Sequence, residues 1–91
     1  MKQKFKVIAE YGLHARPATR LVNEAMGYKS ELNLTAFGSS VNLKSIMGVM
    51  SLGIYRGEII EVHAEGPDAK EAIEGITQFI INEGLGQVVD D

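Results

Sequence analysis

The hydrophobic pattern switches between a two-residue and a 3.6-residue period along the chain, and each switch predicts an element. Residues Lys4–Ala9 alternate loosely, with Phe5, Val7 and Ala9 against Lys4, Lys6 and Ile8, and read as a strand that Tyr11-Gly12 breaks. Residues Ala15–Met26 read as a helix: Pro17 sits in its first turn, Ala18, Leu21, Val22 and Ala25 make an apolar stripe, and Gly27 is a natural stop. Leu32, Leu34 and Ala36 alternate with Asn33 and Thr35 in a second strand, Gly38 marks a turn, and Val41 and Leu43 continue as a short third strand. Phe37-Gly38 is a weaker hairpin signal than Asn-Gly. Ser45 suits the N-cap of a short apolar helix, Ile46–Leu52, ended by Gly53. Glu58–Ala64 reads as a fourth strand. Gly66-Pro67-Asp68 opens a last helix with Ala72, Ile73, Ile76, Phe79 and Ile80 at helical spacing, and Gly84 ends it. Residues 85–91 carry no such period and are expected to be a flexible tail.

The order β-α-β-β-α-β-α, with a hairpin in its middle, predicts an α+β open-faced β-sandwich: a four-stranded, mostly antiparallel sheet with three helices on one face. Cover on one side only explains why the strands alternate and are not continuously apolar. With 91 residues and no linker, repeat or low-complexity tract, residues 1–91 are expected to form a single domain. No apolar run approaches the roughly 18 residues of a membrane span, and the basic start leads into an alternating segment, so neither membrane insertion nor a signal peptide is expected. The absence of cysteine excludes disulfides and thiolate chemistry, and a soluble cytoplasmic protein is the default reading.

Charge refines that picture. The net charge of -3 disfavours general nucleic-acid binding. Yet residues 1–30 hold six basic residues against two acidic ones, and residues 31–91 hold three against ten. The basic part contains the best candidate for chemistry, Gly12-Leu13-His14-Ala15-Arg16-Pro17. It places a histidine where a loop becomes a helix, beside the backbone N–H groups that have no intrahelical partner and carry partial positive charge. An anion attached there meets the helix start, Ala15, Pro17 and Ala18, with its ready-made N–H donors and a first turn stiffened by Pro17, and Arg16 adds a guanidinium able to grip phosphate with two N–H groups. A neutral imidazole is a competent nucleophile, so these parts suit reversible phosphoryl capture. On the residues alone a histidine that merely caps the helix, beside a solvated arginine, competes with this reading. His63, within a strand and without an adjacent arginine, reads as structural or surface, and two histidines so far apart make no metal site. No cofactor is expected.

The second constellation is Asn42–Gly53, NLKSIMGVMSLG. Ser45 is either a plain cap or a cap that a phosphate turns into a switch. The apolar turn after it, Ile46, Met47, Val49, Met50 and Leu52, is either all core or partly an adaptable contact surface.

Gly12-Leu13-His14-Ala15-Arg16-Pro17-Ala18-Thr19 resembles the active-site signature of HPr, the histidine-containing phosphocarrier of the bacterial sugar phosphotransferase system. Asn42–Gly53 resembles the regulatory-serine segment of HPr from low-GC Gram-positive bacteria, and the likeness runs over about residues 3–84. The resemblance implies that His14 is phosphorylated on Nδ1 by enzyme I, itself charged by phosphoenolpyruvate, and donates to enzyme IIA domains of sugar permeases. It implies that Arg16 holds the phosphate, that HPr kinase/phosphorylase modifies Ser45 from ATP, and that phospho-Ser45 slows transfer and supports binding to the repressor CcpA. It also implies that Ile46, Met47 and Met50, with Arg20, form the partner surface, and that the protein is a monomeric carrier and not an autonomous enzyme. Three departures stand out: Tyr11 where the family usually has a small polar residue, Phe37-Gly38-Ser39-Ser40 in place of Asn-Gly-Lys-Lys, and Gly86–Asp91 beyond the usual end. A purely regulatory binding module acting through Ser45 and the apolar helix is the alternative. A nucleic-acid-binding α+β domain is poorly supported, since the second half is acidic and the strands lack exposed-aromatic motifs.

Overall fold

The computed structural model describes residues 1–90. The elements are β1 (Lys2–Val7), α1 (Ala15–Ala25), β2 (Glu31–Ala36), β3 (Ser39–Asn42), α2 (Ile46–Ser51), β4 (Ile59–Glu65), α3 (Ala69–Asn82) and β5 (Gly86–Val89). They form one antiparallel sheet in the order β3-β2-β4-β1-β5. The α+β class and the order of the first seven elements are as the pattern predicts.

Two expectations need correction. The sheet has five strands and not four, and residues 86–89 of the expected tail are the fifth. The reason is tertiary. The Leu85 side chain is buried, its N–H bonds the Ile80 carbonyl at 2.9 Å, and its carbonyl accepts from Ile8 N–H at 2.9 Å. The chain is thereby laid against β1 with Phe5 opposite Val88 and Val7 opposite Gly86. An edge strand of this kind needs a partner more than a hydrophobic period of its own.

Phe5 and Val7 of β1, Leu32, Leu34 and Ala36 of β2, and Ile60, Val62 and Ala64 of β4 alternate inward and are buried. They meet Leu21, Val22 and Ala25 of α1, Val49 of α2, and Ala72, Ile76 and Ile80 of α3 in one core. The opposite face of the sheet carries Lys2, Lys6, Glu31, Asn33, Glu61 and His63. The β2–β3 hairpin turns on Phe37 and Gly38, both with positive φ (54° and 75°), which is the left-handed pair a tight two-residue turn needs.

Candidate functional site

The loop between β1 and α1 is fixed before the histidine is reached. Gly12 takes φ +68°, and a Cβ there would come within 2.2 Å of the Ile54 carbonyl oxygen. Only glycine lets the loop lie this close to residues 54–55. Gly12 N–H donates to the Ala9 carbonyl at 2.9 Å, Leu13 N–H donates to the Ile54 carbonyl at 3.1 Å, and the Leu13 side chain is buried. The backbone is thus pinned one residue before His14.

His14 is the N-cap of α1, with extended backbone (φ -73°, ψ -178°), and its side chain makes no capping bond. The ring is exposed and is met by the edge of Tyr11, centroids 6.2 Å apart and planes at 80°. The imidazole therefore does not do the plain capping job that competes with the chemical reading. Ala18 N–H donates to the His14 carbonyl at 3.0 Å and closes the first turn, so its amide is engaged, and Pro17 has none. The amides left open at this end are those of Ala15 and Arg16, which no group among the described residues accepts from. Arg16 is exposed and makes no ion pair among the described residues.

His14, Arg16, Arg20 and Tyr11 line a pocket of about 200 Å³, open to solvent, whose far wall is Glu83, Gly84 and Leu85. That volume holds several waters, so a phosphoryl group on the ring has room. Arg20 Nη1 lies 2.9 Å from Glu83 Oε1. The sequence reading missed this wall, because Glu83 is 63 positions from Arg20 and no local signal joins them.

Ser45 is the N-cap of α2; its Oγ accepts from Gly48 N–H at 3.0 Å. Of the apolar turn after it, Val49 is buried, whereas Ile46, Met47 and Met50 are exposed, Met47 at 81%. The turn is therefore not all core, and α2 packs beside α1. His63 lies on the open sheet face with Nε2 2.5 Å from Glu61 Oε1, far from any helix start.

A family model described as the PTS HPr component phosphorylation site matches residues 1–82. The chain belongs to the HPr family. HPr proteins are phosphocarriers of the phosphotransferase system and not catalytic enzymes, and their fold is the one described above. The histidine-containing phosphocarrier protein of Mycoplasma is 40% identical, with a TM-score of 0.92 over 96% of this chain and 99% of its own. HPr from Bacillus anthracis is 39% identical, with a TM-score of 0.81 over 87% of this chain and 94% of its own. The Bacillus subtilis catabolite repression protein Crh, seen as a dimer with a swapped domain, is 39% identical, with a TM-score of 0.71 over 88% of this chain and 91% of its own. Among the described residues no helix is long and apolar enough to cross a membrane, and no group of three or more potential ligands could hold a metal.

Proposed function

We propose that this HPr-family chain carries its phosphoryl group on His14, taking it from enzyme I and giving it to enzyme IIA domains. The observation that carries this reading is an exposed imidazole at a helix start, uncommitted to capping, beside two open amides and a free guanidinium. The lone pair of neutral Nδ1 attacks phosphorus, and the N–P bond forms as the donor's bond to phosphorus breaks and its electron pair leaves with the donor. The amides of Ala15 and Arg16 and the Arg16 guanidinium receive the new negative charge, while Pro17 and Ala18 hold the turn in shape. Discharge to the acceptor is the reverse. Partner active sites supply the phosphoryl donor and the acceptor for the two steps.

The exposed Ile46, Met47 and Met50 of α2, together with the exposed Arg20 of α1, form the docking surface for these partners. Ser45 lies within that surface, so a phosphate placed there by HPr kinase/phosphorylase repels partners that carry acidic groups and recruits CcpA. The likeness to the catabolite repression protein Crh favours this regulatory half of the reading. The protein acts in the cytoplasm as a monomer.

Incubation with enzyme I and phosphoenolpyruvate is the test. Wild type gains acid-labile phosphate and His14→Ala gains none; equal labelling of the two, or of neither, ends the carrier reading. If Ser45→Ala restores sugar uptake to a strain lacking its own carrier and His14→Ala does not, transport is the function. Rescue by His14→Ala would leave only the regulatory module.

A further inference from the structure

We propose that Arg20 is a second guanidinium for the phosphoryl group on His14, occupied by Glu83 until that group arrives. The inference rests on the carrier reading of His14 and adds a residue to it. Arg16 and Arg20 are four positions apart on α1, which makes them neighbours on one helix face, and both line the pocket that holds His14. Two guanidiniums side by side repel. Glu83, the C-cap of α3, offsets this by taking Arg20 at 2.9 Å.

The hold is weak by construction. The two side chains are 58% and 28% exposed, so the pair is screened. Glu83 also sits at the negative end of α3, where a carboxylate is disfavoured. A phosphoryl group on His14 brings close to two negative charges into the same 200 Å³. It then competes with a single carboxylate for the guanidinium, and the exchange costs little because one ion pair replaces another. Arg20 thereby becomes a positioning residue with two partners: Glu83 in the resting protein and phosphate oxygens in the charged one. The groups facing the phosphoryl group are Arg16, Arg20, Glu10, Glu83 and Tyr11.

The exchange has a signature that a simple tether between α1 and α3 lacks. Removing Arg20 takes positive charge from the phosphoryl group and raises its second ionisation. Removing Glu83 frees Arg20 and lowers it. Through-space charge alone also moves the two variants in opposite directions, so the double variant Arg20→Gln/Glu83→Gln decides: under exchange Glu83→Gln loses most of its effect once Arg20 is gone, whereas simply additive shifts overturn the proposal. The experiment uses the full chain carrying His63→Gln, so that His14 is the one histidine left. Phosphoramidate transfers its phosphoryl group to the ring with loss of ammonia, without any partner protein, and 31P NMR follows the titration. Arg20→Gln is expected to raise the phosphoryl pKa by about half a unit, the size an exposed ion pair carries. Glu83→Gln is expected to lower it, and Arg20→Lys to restore part of the shift. An unchanged titration in Arg20→Gln, or shifts of the same sign in Arg20→Gln and Glu83→Gln, overturns the proposal. A parallel reaction of the parent with enzyme I and phosphoenolpyruvate judges the carrier reading separately. A His14 ring that takes phosphate from neither reagent overturns both.

Discussion

At the scale of single residues, two of the left-handed positions make a contrast, and only one of them serves the site. Gly12 takes a left-handed conformation so that the loop can touch the Ile54 carbonyl and deliver His14 to the helix start. Phe37 takes one as well (φ 54°), with its ring exposed, in a hairpin turn that favours Asn-Gly. A bulky side chain in this region is strained. Phe37→Asn is therefore expected to stabilise the protein by about 1 kcal/mol, read as a higher urea midpoint at unchanged slope. A lower midpoint means that the exposed ring makes contacts outweighing the strain. The same contrast shows what a sequence discloses. His14, Arg16 and Pro17 were legible because a loop-to-helix step, a nucleophile and a cation sit within four consecutive positions. Glu83 was not, because it enters the pocket through the packing of α3 against α1.

At the scale of elements, caps do the positioning. Ser45 Oγ holds the Gly48 amide, so Ser45→Ala is expected to cost about 1 kcal/mol in urea unfolding. A phosphate at the same position meets the positive end of α2. Modified protein should then melt at the same temperature as unmodified protein or slightly higher, and a marked fall would contradict the dipole argument. Asp68, the N-cap of α3, ties that helix to the residues just before β2. Its carboxylate accepts from the Ser30 hydroxyl at 2.5 Å, from Lys29 N–H at 2.8 Å and from Ser30 N–H at 2.9 Å. The Ser30 hydroxyl and then the Lys29 amide hold its pKa at about 2, below the ordinary 3.8. A depressed folded-state pKa contributes stability that is fully present above the ordinary value and is lost as pH falls towards the folded one. Wild type is expected to melt above Asp68→Asn at neutral pH, with the gap narrowing between pH 4 and 2. A constant gap would show that the carboxylate's charge is not what matters. Periodicity announced all three helices and four strands to within about two residues. It could not announce β5, whose four residues are held by the β1 edge and not by a pattern of their own.

At the scale of the whole molecule, β5 decides which edge of the sheet is open. In the order β3-β2-β4-β1-β5 it lies along the flank of β1, and the β1 amides alternate between their two neighbours. Val7 N–H faces the β4 side and bonds the Glu58 carbonyl at 2.9 Å; Ile8 N–H faces the other side and bonds Leu85. By that alternation Lys6, opposite Gln87, points its N–H at β5. An uncovered strand edge is a template for pairing with another chain, and a 39%-identical relative forms a dimer through a swapped domain. β5 replaces the six-residue β1 as the outer strand with a four-residue one, and a shorter edge templates pairing less, which favours a monomeric chain. Removal of residues 86–91 leaves the core and the His14 pocket wall through Leu85 in place, so the fold should persist with a melting temperature lower by about 5 °C. Hydrogen exchange at the Lys6 amide should accelerate strongly while Val7, still bonded to Glu58, stays protected. At high concentration the shortened chain should populate dimers on size exclusion where the full chain does not. Equal protection of Lys6 in both proteins, or a full chain already dimeric, would remove β5 from any account of how the β1 edge is shielded.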